Sequence, residues 1–142
     1  MAYLFAAFAV TFGLSFAAVP STADARVVAR VDISSQTMRV YVHGRLRHRW
    51  RVSTGARGHR TPTGSYSPKW FSRNHRSRKY NNAPMPYSIF FRGGYAVHGT
   101  YQTSRLGRPA SKGCVRLSPG NARTLFNLVR RNRAGSRIVI TH

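Results

Sequence analysis

The sequence predicts one mainly β domain carrying a single short amphipathic helix. Period-two alternation of apolar and polar residues runs through the first half of the chain, the pattern of strands whose successive side chains point to opposite faces. One helix-period apolar stripe occurs, near the C-terminus. A length of 142 residues sets a prior of a single domain. Hydrophobic content of 42% with 12% aromatic residues supplies a core that a disordered polybasic tail would lack.

Residues 1–25 read as a secretory signal peptide and residues 26–142 as the mature domain. The apolar run over residues 4–19 has the length of an h-region, Pro20 breaks it, and Ala23-Asp24-Ala25 is a small-x-small cleavage site. The run is shorter than the ~20 residues that span a bilayer, so cleavage after Ala25 and export, with no stable membrane span afterwards, are expected over the alternative of an uncleaved N-terminal anchor.

Val27, Val28, Val31 and Ile33 then mark an opening strand. Met38, Val40 and Val42 alternate with Arg39, Tyr41 and His43, and Gly44 supplies a turn. On the return, Arg45, Arg47, Arg49 and Arg51 interleave with Leu46, His48, Trp50 and Val52. An antiparallel, half-buried hairpin follows, with four guanidinium groups on one face and the apolar set on the other. That stripe is either a solvated sheet face or a cationic track for an anionic polymer.

Thr61-Pro62-Thr63-Gly64 is a turn signal, and residues 69–82 read as a long surface loop. Residues 87–91 and 95–98 flank Arg92-Gly93-Gly94 as a second hairpin, which places His98 at a strand end before Gly99. A polar loop over residues 100–110 leads to Ser111-Lys112-Gly113-Cys114-Val115-Arg116-Leu117. Ser118 and Pro119 suit a helix cap and first turn, and Ala122, Leu125, Phe126 and Val129 form its apolar stripe. Arg130, Arg131 and Arg133 fall in its last turn, Gly135 ends it, and residues 137–141 form a closing strand.

Composition removes several chemistries. The only acids are Asp24 and Asp32, too few for a paired-carboxylate glycosidase or a carboxylate-rich Mg²⁺ or Ca²⁺ site. A single cysteine excludes an internal disulfide. A net charge of +22 calls for polyanionic partners. Nucleic acid is the usual choice, but an export signal favours anionic envelope polymers.

Cys114 is the most informative residue, because an unpaired thiol in an oxidising compartment demands an explanation beyond packing. Lys112 and Arg116 bracket it with positive charge, which is expected to lower its pKa and raise the thiolate fraction. Extended backbone over residues 114–116 would set Cys114 and Arg116 on one face, with the guanidinium placed to grip a substrate carboxylate. Of the six histidines, His98 is the candidate base. No CxxC or HxxxH spacing occurs, so no metal is expected. With Asp32 far away on the opening strand, His98 is expected to be oriented by a backbone carbonyl or a hydroxyl rather than by a carboxylate.

His98-Gly99-Thr100, a loop of about a dozen residues, and Ser111-x-Gly113-Cys114-Val115-Arg116-Leu117 together resemble the signature of the L,D-transpeptidase catalytic domain (YkuD) family. Thr61-Pro62-Thr63-Gly64, Met85-Pro86 and the helix after the Cys loop extend the resemblance over residues 27–141. It implies a YkuD-like β-sandwich that needs no cofactor, and a Cys114 nucleophile acylated by a peptidoglycan stem peptide. His98 would be the proton donor and acceptor. Gly99, Ser111, Lys112, Gly113 and Arg116 would line the substrate and oxyanion site, with backbone N–H groups near Gly113 and Cys114 as oxyanion donors. One position departs from the family, which usually has His before the Gly-Cys pair where this chain has Lys112.

The implied activity is transpeptidation in the periplasm or cell wall, with peptidoglycan stems and anionic envelope polymers as partners. The alternatives are an L,D-carboxypeptidase using water, a non-catalytic cationic wall-binding protein, and a basic nucleic-acid-binding protein that the export signal opposes. A papain-like or NlpC-like hydrolase would need its histidine downstream of Cys114, where only His142 stands.

Overall fold

The computed structural model describes Gly13 and residues 26–142. The predicted export segment, Gly13 apart, lies outside the described residues. Nine strands and one α-helix follow in order: β1 (Val27–Asp32), β2 (Thr37–Val42), β3 (Arg45–Arg51), β4 (Gly64–Tyr66), β5 (Trp70–Ser77), β6 (Ala83–Arg92), β7 (Tyr95–Gly99), β8 (Val115–Leu117), α1 (Pro119–Arg131) and β9 (Arg137–Thr141). They form a five-stranded sheet in the order β3-β2-β1-β9-β4 and a four-stranded sheet in the order β5-β6-β7-β8.

Alternation in β1 and β2 does what the sequence requires, turning Val27, Ala29, Val31, Met38 and Val40 inward. The closing strand β9 adds Ile138 and Ile140 by pairing parallel to β1. Ile89, Phe91, Val97, Val115 and Leu117 come from the second sheet to the same core. Helix α1 packs on β6, β7 and β8 and completes that core with Ala122, Leu125, Phe126 and Val129. Its start is built as the sequence implies: Ser118 Oγ accepts from the Asn121 amide, and Pro119 occupies the first turn. Its end comes earlier than Gly135, at Arg131, so Arg133 lies beyond the helix and donates to the Lys69 carbonyl.

Three expectations are corrected. Residues 69–82 are not a long loop: residues 70–77 form β5, paired antiparallel with β6, and only residues 78–82 turn. The polar residues that suggest a loop belong to an edge strand with one wet face, anchored by Trp70 stacked on Phe90 at 3.7 Å. Thr61–Gly64 is not a turn either. The chain turns at residues 57–59, and Gly64 opens β4, an edge strand on β9.

The third correction concerns the arginine stripe. Val40 pairs with His48 but Tyr41 with Leu46, so Arg47 is a bulge residue and the alternation breaks there. Leu46 consequently stands 52% exposed. The four arginines of β3 therefore do not share a face. Register builds a different row, running across strands: Arg30 opposes Arg39, and Arg39 opposes Arg49, all on the outward side.

Candidate active site

The parallel pairing of β7 with β8 positions the candidate residues. His98 is in register with Arg116, so their side chains share a face, and Cys114 stands just before β8 alongside Ala96. Cys114 packs with Met85, Phe90 and Ala96 in a small apolar cluster. The backbone of Arg116 is held from the other side by Ser53, through bonds of 2.9 and 3.0 Å in both directions.

The turn before Cys114 is held by side chains. Ser111 Oγ donates to the Cys114 carbonyl at 2.6 Å and accepts from the Gly113 amide at 3.0 Å. Thr61 Oγ1 donates to the Gly113 carbonyl at 2.8 Å and accepts from the Gly55 amide. Gln36 braces the adjoining strand segment, bonding the hydroxyl and amide of Thr54. Gly113 has φ +124, and a Cβ there would meet Tyr95 at 2.6 Å. Of the two oxyanion donors expected from the sequence, the Gly113 amide is committed to Ser111.

His98 is 5% exposed, and its Nδ1 lies 2.6 Å from the Gly99 carbonyl oxygen. A carbonyl only accepts, so Nδ1 carries the proton and Nε2 is the basic nitrogen. The orienting group is therefore a backbone carbonyl, as the shortage of acids implies. Gly99 itself faces away from the cavity, packed against Pro86, Pro119 and Ala122. Its contribution is that carbonyl and close helix packing.

Burial lowers the His98 pKa to about 4, outweighing the bond to Gly99, which pulls it up, with smaller repulsions from Arg116 and His75 acting in the same direction as burial. Burial also pushes the Cys114 thiol above its ordinary value, against the Ala96 backbone amide and the Arg116 guanidinium, which pull it down. The thiol donates weakly to the Gly94 carbonyl at 3.8 Å. The expected lowering of the thiol pKa is thus corrected: desolvation outweighs the Arg116 guanidinium. Burial likewise lowers the Arg116 pKa, countered by Cys114, and the guanidinium stays charged throughout the physiological range.

Cys114, His98, Lys112 and Arg116 open on one cavity of about 550 Å³. Ser111 and Gly113 lie behind its wall. Lys79 and Tyr80 from the turn after β5, Met85 from β6, Tyr95 from β7, and Tyr101 complete it. Of these, Met85 carries a sequence signal through the family resemblance, Lys79 and Tyr80 fall in the segment expected to be a loop, and nothing local marks Tyr95 or Tyr101. Among the described residues, no group of three His, Cys, Asp or Glu side chains converges to hold a metal.

A lone thiol and a carbonyl-tethered imidazole face one cavity on a two-sheet β scaffold, an arrangement compatible with thiol-nucleophile chemistry. The chain belongs to the L,D-transpeptidase catalytic domain (YkuD) family, whose model matches residues 26–140. No curated protein matches it. Solved structures with the same fold include an L,D-transpeptidase from Mycobacterium tuberculosis H37Rv, 24% identical with a TM-score of 0.74, aligned over 82% of this chain and 57% of that one. An L,D-transpeptidase from Stackebrandtia nassauensis is 26% identical with a TM-score of 0.72, over 82% and 56%. L,D-transpeptidase 3 from M. tuberculosis, in complex with a faropenem-derived adduct, is 22% identical with a TM-score of 0.72, over 82% and 60%. The chain therefore spans a little over half the length of these structures.

Proposed function

We propose that this protein is an exported L,D-transpeptidase that acts on peptidoglycan tetrapeptide stems in the periplasm or cell wall. The observation that carries the reading is the meeting of Cys114 and His98 on one cavity, with the Nδ1 proton of His98 held by Gly99 and Nε2 left basic. Family membership supports it.

Nε2 takes the thiol proton as Cys114 Sγ attacks the carbonyl carbon between the stem's third residue and its terminal D-Ala. The oxyanion forms near the Cys114 amide. Collapse breaks the C–N bond, His98 gives its proton to the departing D-Ala amine, and a thioester remains on Cys114. An amine of a second stem then attacks the thioester carbonyl and loses its proton to His98. The sulfur leaves as thiolate and takes that proton back, so the site returns to its resting state with no cofactor consumed. The surplus of arginine suits a small enzyme that adsorbs to anionic envelope polymers.

Incubating the domain from Arg26 with purified muropeptides, alongside Cys114→Ser, tests this by mass spectrometry. The expected result is an acyl-enzyme on Cys114, D-Ala release and stem dimers. Release without dimers would assign a carboxypeptidase, and a folded protein with neither would assign the wall-binding reading. Faropenem serves as a second probe, with a Cys114-dependent adduct expected.

A further inference from the structure

Only three of the 24 basic residues are lysines, and two of those, Lys79 and Lys112, stand at the catalytic cavity. They reach it from separate segments, Lys79 from the turn joining β5 to β6 and Lys112 from the loop before Cys114. Arg116 adds a third cation, and among the described residues no Asp or Glu lines the cavity. Asp32, the one acid in residues 26–142, is engaged elsewhere by Ser34 and Ser35. The cavity is positive with no counter-charge of its own.

Lys79 has no assigned task in the reaction, and Lys112 is expected from the family resemblance only to line the substrate site. Lys112 is not among the groups that move the Cys114 titration, where only Arg116 contributes charge. Both lysines are exposed, and the Lys79 ammonium lies 5.4 Å from the centroid of the Tyr80 ring on the same wall. A flexible ammonium is a point charge that follows an anion without demanding the bidentate geometry of a guanidinium. A carboxylate-bearing ligand is the chemistry that such a cavity recognises.

We propose that Lys79 and Lys112 bind free carboxylates of the acyl donor, so that the site selects stems with free carboxylates over the same stems carrying carboxamides. This rests on the transpeptidase reading for its substrate class. A carboxamide keeps the shape of the carboxylate and one acceptor oxygen but removes the charge and turns the other oxygen into a donor, so the lysine variants and added salt are what identify the electrostatic contribution.

The test is calorimetric titration of the Cys114→Ser protein with a free tetrapeptide stem and its carboxamide counterpart, which needs no turnover. The free stem is expected to bind up to about fivefold more tightly, the upper end of one exposed ion pair. That ratio should shrink toward one in Lys79→Met and in Lys112→Met, and with added salt. Lys79→Gln and Lys112→Gln, checked for unchanged melting, repeat the comparison with polar side chains. Equal affinities, tighter binding of the carboxamide stem, no binding of either stem, or a ratio that ignores both lysines overturns the proposal. Lysine-dependent preference without acyl-enzyme in the unmutated protein would leave this inference standing and remove the transpeptidase reading. Acyl-enzyme formed from both stems with equal affinities would do the reverse.

Discussion

At Gly113 the backbone runs through φ +124 with the Tyr95 ring where a side chain would go. Gly113→Ala must either displace that ring or pull the loop away from Ser111. A loss of about 1–3 kcal/mol is expected from the backbone strain, read by urea denaturation, together with loss of faropenem acylation. His98 offers a second test, through pH. Its folded pKa of about 4 lies below the ordinary 6.5, so between those values the unfolded chain binds the extra proton. Stability is therefore full above pH 6.5 and falls as pH drops toward 4, by about 3 kcal/mol in all. His98→Gln should flatten that slope in denaturant midpoints measured across the window. For Cys114 the raised pKa predicts no thiolate absorbance at pH 7 and alkylation that keeps accelerating past the ordinary thiol value of 9.0. A plateau from neutral pH upward would instead mean a preformed thiolate–imidazolium pair.

Among the elements, the row Arg30–Arg39–Arg49 is the least economical piece of the first sheet. Like charges directly opposed across strands destabilise, and Arg39 has one on each side. Arg39→Thr is expected to raise stability by about 0.2–1 kcal/mol at low salt, and the gain should vanish as ionic strength rises. At the helix, Ser118→Ala removes the acceptor for the Asn121 amide and should cost about 1 kcal/mol. These two features also show what sequence can convey. Ser118, Pro119 and the stripe from Ala122 to Val129 are local signals, legible because a helix start and its face depend on near neighbours. The row of arginines was not legible, because register depends on a bulge at Arg47 that no local pattern announces. β5 was missed for a related reason: an edge strand with one wet face lacks the apolar alternation that marks β1 and β2.

For the molecule as a whole, the mainly β class and the single α-helix among the described residues followed from the chain itself, and Cys114 and His98, singled out in the sequence, line one cavity. Two features did not: the parallel pairing of β9 with β1, and the wall that brings Lys79, Tyr80 and Tyr101 to the cavity. Both join residues far apart in sequence, and both depend on two sheets closing over one core. The electrostatic outcome at Cys114 was unreadable for the same reason, since charge is visible in sequence but desolvation is set by packing.

That disparity between charge and burial has a physiological side. Of the 24 basic residues, 21 are arginine, and a guanidinium does not deprotonate in proteins. Under the proposed adsorption to anionic envelope polymers, the arginine share of that grip keeps its charge from acid to strongly alkaline conditions, while His98 and Cys114 change protonation. On that reading an acid shift silences the proposed chemistry without discharging the arginines, and rising ionic strength is what loosens the protein.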